Sequence, residues 1–212
     1  MAVHPTVLSC VATGQQVGAE LDDALSLADL RVAEEQWAGP RRAITEQLRA
    51  RSITGAEWPQ SLHWDWGAKA SHFAPYIEGP FSSYRLFGLR AEGQFQGLLL
   101  ASCVGHRTRL HLAGRDLVYV EFVETAPWNW PVACIGQPQR LKGVGLQLVE
   151  LAIRWSVDLE YRGRLGLHAL PQAESFYRGA CHMTDMGPDA GHQSLHYLEL
   201  DEPHAQEFLK EA

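Results

Sequence analysis

A chain of 212 residues with 46% hydrophobic and 20% charged residues can bury one well-filled core, or one core with a helical appendage. Its formal net charge of −7 argues against a broad electrostatic footprint for nucleic acid or an anionic membrane, leaving room for a local basic patch. The cysteines, Cys10, Cys103, Cys134 and Cys181, form no C-x-x-C pair, so neither a disulfide framework nor a zinc knuckle is indicated, and reduced thiols in a cytoplasmic protein are expected. No stretch approaches the roughly 18 apolar residues of a membrane span, and MAVHPTVLSCVATGQQ lacks the basic start and long apolar run of a secretion signal.

From Ser26, SLADLRVAEEQW offers a capping serine with an acid three residues on and predicts a helix. Gly39-Pro40 predicts its end, and RRAITEQLRARSI a second amphipathic helix. The segment from Glu57 to Lys69 holds Trp58, Trp64 and Trp66 and fits neither a regular helix nor a regular strand. After a Gly79-Pro80 turn the period changes to two: SSYRLFGLRAEGQFQGLLLASCV predicts a hairpin turning near Ala91-Glu-Gly93. RTRLHLAG and DLVYVEFVET predict a second strand pair about a turn at 113–116. From Gly143 to Tyr161, Leu148, Leu151, Ala152, Trp155 and Leu159 recur at helical spacing. Arg164–Leu170 is a short strand, Pro171 opens a helix through QAESFYRGAC, and SLHYLEL is a last strand before a polar tail. The sum is an α+β (mixed α/β) fold: a mostly antiparallel central sheet with helices on both faces and an extended helical N-terminus. Residues 1–80 form that helical extension, packed on the same domain as a core of residues 81–212.

Three segments carry chemistry. Arg140-Leu-Lys-Gly-Val-Gly145 precedes the long helix, whose first-turn amides have no intrahelical partner and point outward. With Arg140 and Lys142 beside them, that end suits a phosphate; it is neither the dinucleotide fingerprint nor a nucleoside-triphosphate loop. The strand YVEFVET carries Glu121 and Glu124, and an unpaired buried carboxylate costs several kcal/mol or shifts its pKa until it is neutral. Three residues apart, the two face opposite sides of a regular strand, and only a bulge brings both into one site. In His63-Trp-Asp-Trp-Gly-Ala-Lys69 the tryptophans serve as a hydrophobic plug or as an aromatic wall with Asp65 facing a cationic substrate. Trp128 and Asn129, in Pro-Trp-Asn-Trp-Pro, shape a pocket, Asn129 as turn former or polar contact. His182, His192, His196 and Cys181 match no closed zinc pattern, so no metal site is expected; His168 reads as a satisfied structural histidine.

R-x-x-G-x-G opening a helix, then a strand, then a helix with Ala173-Glu-Ser-Phe-Tyr177, preceded by an antiparallel meander, resembles the GCN5-related N-acetyltransferase (GNAT) superfamily over roughly Ser82 to Leu200. HWDWGAKA, ETAPWNW, GRLGLHALPQAESFY and CHMTDMG resemble an uncharacterised bacterial subgroup of it. The resemblance implies a GNAT-like sheet and a coenzyme A pyrophosphate held by the amides of Arg140, Leu141, Lys142, Gly143, Val144 and Gly145. The preceding strand would splay so that the pantetheine pairs with its edge, at Val123–Ala126 or, because WNWPVACIGQPQ intervenes, nearer Cys134–Gly136.

Tyr177 would protonate the departing thiolate, and a carboxylate would take the proton of the attacking amine, Glu121 the first candidate and Glu124 the second. The implied activity is acetyl transfer from acetyl-CoA to a primary amine by direct attack in a ternary complex. The acceptor is a small molecule or a protein amine; the acidic charge favours a polyamine, an aminoglycoside-like compound or an amino acid over tRNA. No nucleic acid or membrane partner is expected, and homodimerisation is left open. A non-catalytic acyl-CoA sensor, or a transferase of another acyl or aminoacyl group, are the alternatives.

Overall fold

In the computed structural model of the chain, which describes residues 3–79, 82–110 and 114–211, two hydrophobic layers sandwich one mixed sheet. In chain order the elements are β1 (Val3–Cys10), β2 (Gln16–Asp22), α1 (Leu27–Ala50), α2 (Trp66–Ile77), β3 (Tyr84–Ala91), β4 (Gln94–Ser102) and β5 (Val118–Thr125). They continue with β6 (Leu141–Lys142), α3 (Val144–Asp158), β7 (Leu165–Ala169), α4 (Glu174–Gly179), β8 (Thr184–Asp189), β9 (Leu195–Leu200) and α5 (Glu202–Glu211). The sheet order is β6-β1-β2-β3-β4-β5-β7-β9-β8, and among the named pairs only β5·β7 is parallel. Alternation along the strands feeds both faces. Leu99, Ala101, Val118 and Val120 pack with Leu148, Ala152 and Phe208 of α3 and α5, while Leu86, Leu98 and Leu100 pack with Leu30, Trp37 and Trp66 of α1 and α2.

The N-terminal segment differs from its reading as wholly helical. Residues 3–22 make the β1-β2 hairpin, and β2 pairs with β3, so this segment extends the sheet before its helices cover one face. Gly39-Pro40 does not end the first helix: α1 runs through Pro40, with Leu30, Ala33, Trp37, Arg41, Ile44 and Leu48 forming one buried stripe. Burial of that stripe outweighs the roughly 3 kcal/mol cost of an internal proline. Only the end of the Trp-rich segment is helical, α2 beginning at Trp66 after the N-cap Asp65; β8 pairs with β9, and the polar tail is helix α5. Of the strand expected at RTRLHLAG, only the bridge Arg107↔Asp116 is present among the described residues; 111–113 and Pro80 of the expected turn lie outside them.

Two irregularities in β5 create the site. It pairs with β7 from Val118↔Leu165 to Val120↔Leu167 and then separates, leaving the β7-facing edge of Val123–Thr125 without a strand partner. At the same level the β4·β5 register slips: Leu100 faces Phe122 and Ala101 faces Val120, so Glu121 is the extra residue of a bulge. The slip reverses the alternation beyond it. Glu121 bonds Ser102, which alternates with Leu98 and Leu100, and Glu124 bonds Trp66; both carboxylates therefore lie on the α1-α2 face.

Candidate active site

Where β5 leaves β7, a cleft of ≈ 750 Å³ opens. One wall is the free end of β5, Val123–Thr125; the opposite wall is Leu170, Ala173, Phe176 and Tyr177 from the end of β7 and α4. Trp130–Cys134, from the segment between β5 and β6, and Glu57–Ser61, without Trp58, close the remaining sides. The latter strap is fastened across the mouth. The Gln60 backbone N–H donates to Gln172 Oε1 (3.0 Å), the Gln172 N–H donates to Gln60 Oε1 (3.1 Å), and Gln172 Nε2 donates to the Trp58 carbonyl (2.9 Å).

The Arg140–Gly145 loop meets this cleft through Gly145. Leu141 and Lys142 form β6, pairing with Cys10 and Ser9 of β1, and Gly143, at φ 97°, turns the chain into α3 as its N-cap. A left-handed φ suits glycine, and glycine brings no side chain to cap the helix, so the first-turn amides stay uncovered. A Cβ on Gly145 would stand 3.0 Å from the Phe176 ring, so the bare backbone also sets how closely α3 and α4 approach. Arg140 is ion-paired with Glu92.

Glu124 reaches the cleft from the strand side and is the most deeply buried acid there, its side chain 1% exposed. Trp66 Nε1 donates to its Oε2 at 2.6 Å and Arg41 Nη2 at 3.2 Å. Arg41 is itself held by Glu34, whose Oε2 also accepts the Trp66 backbone N–H at the start of α2 (2.9 Å). Oε1 of Glu124 has no well-formed hydrogen bond among the described residues, although the Ser61 hydroxyl lies near. Burial pushes this carboxyl up to about 7, against the opposing pull of Arg41, Trp66, Ser61 and Lys69. Tyr177 is buried in the cleft wall, and burial and the nearby Cys181 push its pKa up, so it is protonated at neutral pH. A buried carboxylate oxygen without a well-formed hydrogen bond and a phenol thus line one cleft with an uncovered helix N-terminus.

No protein-family model and no curated sequence matches this chain. Solved structures match it. The GNAT domain of PAT from S. lividans aligns with a TM-score of 0.54 at 13% identity, over 94% of this chain and 96% of that one. A ribosomal-protein-S5-alanine acetyltransferase from Vibrio fischeri aligns at 0.51 with 12% identity, over 85% and 90%. RimJ from Mycobacterium smegmatis, solved in complex with CoA-disulfide, aligns at 0.50 with 13% identity, over 99% and 94%. The chain has the GNAT fold. Both the mostly antiparallel sheet and the helices on its two faces agree with what the sequence resemblance implied.

Within this GNAT fold the other candidate residues scatter. Glu121 does not line the cleft: at the bulge its Oε1 accepts from Ser102 Oγ (3.0 Å) and lies 3.8 Å from His106 Nε2. Burial raises its pKa, opposed by hydrogen bonds from Ser102 and Tyr84 and by His192. Asp65 is the N-cap of α2, its Oδ1 accepting from the Ala68 N–H (2.8 Å), and is not a cleft wall. Trp128 packs against the α1-α2 core with Nε1 donating to Gln96 Oε1 (2.8 Å), also outside the cleft. Asn129 lines the cleft, but both ends of its amide are engaged: Nδ2 donates to Gln96 Oε1 (3.1 Å) and Oδ1 accepts the Leu141 N–H (3.0 Å). It ties the Pro-Trp-Asn-Trp-Pro segment to the loop before α3. Lys69 places its ammonium 3.8 Å from the Phe122 ring centroid and 4.8 Å from that of Trp64, the aromatic wall serving the chain's own cation.

Two groups of side chains stand close enough to share an ion, His168 with Asp189 and His192, and Glu174 with Asp185 and His196. In each an arginine already pairs with a carboxylate, Arg109 with Asp189 at 2.7 Å and Arg178 with both Glu174 and Asp185. His168 is satisfied at both nitrogens, by Tyr119 Oη at Nδ1 (2.6 Å) and Asp189 Oδ2 at Nε2 (3.1 Å). Of the partners of Glu124, Trp66 belongs to the segment read as plug or aromatic wall, while Arg41 carries no motif; its one signal is an arginine on the buried stripe of an amphipathic helix.

Proposed function

We propose that this protein transfers an acyl group from an acyl-coenzyme A thioester to an amine, with Glu124 as general base and Tyr177 as general acid. The observation that carries the reading is the free Oε1 of Glu124, buried in the cleft that the separation of β5 from β7 opens. A buried carboxylate oxygen left without a donor costs free energy that a ligand N–H recovers. The residues present also fit coenzyme A: the amides of Val144 and Gly145 at the uncapped start of α3 suit its pyrophosphate, and the unpaired edge of Val123–Thr125 suits the amides of its pantetheine. When bound, it supplies the acyl thioester as electrophile.

The chain's own groups then handle two protons. Glu124 Oε1 accepts one from the acceptor ammonium, freeing the nitrogen lone pair for attack; a carboxyl near 7 is half ionised at neutral pH and meets the demand for a base. Tyr177 Oη, a wall of the same cleft and protonated at neutral pH, gives a second to the departing sulfur. The acetyl group, acetyl-CoA as donor and a primary amine as acceptor are the simplest case. A screen of amines with acetyl-CoA, following free thiol, tests this: amine-dependent thiol release is expected. Thermal stabilisation by coenzyme A without thiol release for any amine would instead support a non-catalytic acyl-CoA sensor.

A further inference from the structure

The charges lining the cleft define its acceptor more narrowly than "amine". Of the described side chains that line it, Glu124 and Glu57 are the charged ones; no lysine, arginine or histidine is among them. The cations nearby are committed elsewhere. Arg41 is behind Glu124, bonded to it and to Glu34; Lys69 lies over Phe122 and Trp64; Arg51 donates to the Cys134 carbonyl (3.0 Å) from the exposed side. An acceptor bearing a carboxylate would bring a third negative charge into a cleft without a cation to meet it, which is unfavourable at partial desolvation.

The two acids occupy different depths. Glu124 is sealed at the strand, with Oε1 unsatisfied. Glu57 is exposed, at the end of the 3₁₀ turn Gly55–Glu57, accepts from Thr54 Oγ1 at 3.3 Å and makes no ion pair among the described residues. The Gln60–Gln172 clasp holds the strap that carries it across the mouth. The walls of the cleft, Trp130 and Leu170 among them, are largely apolar and suit a methylene chain.

We infer that the acceptor is a linear amine with a second ammonium group and no carboxylate. Its attacking nitrogen meets Glu124 Oε1 and its distal ammonium meets Glu57. The inference rests on the acyl-transfer reading and specifies its substrate class. The attacking nitrogen gives one ammonium proton to Glu124 and forms the amide carbon–nitrogen bond as the carbon–sulfur bond of the thioester breaks; the sulfur leaves as free thiol with the proton from Tyr177, and the second proton lost by the nitrogen returns through solvent to the phenolate, so that one proton in net is released from Glu124.

The test uses three matched series with acetyl-CoA: α,ω-diamines of propane to octane length, and the n-alkylamines and ω-amino acids of the same lengths. The expected order of kcat/KM is diamine above monoamine above amino acid, with at least about a tenfold step to the best diamine. Glu57→Gln is expected to collapse the diamine-to-monoamine ratio toward one, and Glu57→Lys to turn preference toward the ω-amino acids. Glu57 is exposed and on a loop, so both variants should fold. Parity of diamine and monoamine, or an ω-amino acid as the best substrate, overturns the inference. Thiol release from none of the three series, with coenzyme A still raising Tm, overturns the substrate class and leaves the cofactor reading standing. Absence of any response to coenzyme A removes the underlying reading as well.

Discussion

Glu121 and Glu124 lie three residues apart on one strand and, because of the bulge, on one face of the sheet, yet their surroundings have little in common. Glu121 is half-buried among a serine hydroxyl, a tyrosine hydroxyl and an imidazole, all of which can donate to it. Glu124 is sealed between Trp66 and Arg41 with one oxygen unused. Burial raises the pKa of both, but only Glu124 combines a value near 7, a free lone pair and a place in the cleft. Position on a strand therefore says little about the surroundings of either acid. What distinguishes them is how completely the rest of the fold satisfies each carboxylate.

The largest effect should come from exchanging the two. Glu124→Gln is expected to lower kcat/KM for amine acetylation by roughly 10²–10⁴-fold, the usual worth of a general base, while Glu121→Gln stays within about threefold of wild type. The reverse ranking in a thiol-release assay would move the base to the bulge. Tyr177→Phe is the next largest: kcat should fall on the order of a hundredfold with the KM for acetyl-CoA unchanged, because the lost proton donor acts on the leaving sulfur and not in binding. An unchanged kcat would remove Tyr177 from the reaction.

The titration of Glu124 separates the two acids in another way. The base works as carboxylate, so kcat/KM, after correction for the acceptor's own ionisation, should rise with pH through about 7. Arg41 favours the ionised form, so Arg41→Gln should move that limb to higher pH, whereas Glu121→Gln should leave it in place. Stability carries the same signature with the opposite sense. A carboxyl raised from 4.5 to about 7 on folding binds more protons folded than unfolded between those values, so folding should weaken by up to roughly 3 kcal/mol as pH rises across that window. Urea titrations of wild type and Glu124→Gln as a function of pH would show whether that slope vanishes. The smallest effect is a control outside the cleft: Asp65→Ala should cost about 1 kcal/mol through loss of the α2 cap, with kcat/KM nearly unaffected. A larger kinetic effect would return Asp65 to the acceptor.

Legibility in the sequence followed the range of the interactions. The β3-β4 hairpin, α3 behind Gly143 and the β7-α4 unit could all be read, because period, turn residues and capping are local. The β1-β2 hairpin is not legible there, because Val3, Pro5 and Val7 leave one face of β1 exposed and largely apolar, without the alternation that marks a half-buried strand. The single α1 was missed for a different reason. Pro40 is a strong local stop, and only the tertiary burial of Trp37 and Leu48 on either side of it carries the helix through.

The site divides along the same line. By itself the sequence determined that a helix with bare first-turn amides would begin at the end of the 140–145 segment, that a tyrosine would sit on the short helix after the next strand, and that two acids would lie on β5; the Leu141 amide, by contrast, is taken by Asn129 Oδ1. Each of these depends on residues close in the chain. Tertiary structure alone decided which acid enters the cleft and how basic it is. Arg41 and Trp66, 83 and 58 residues away, bind one oxygen of Glu124 and bury it; a one-residue slip against β4 turns Glu121 onto the same face but outside the cleft. Desolvation and long-range pairing set a carboxylate's proton affinity, and no local pattern encodes either.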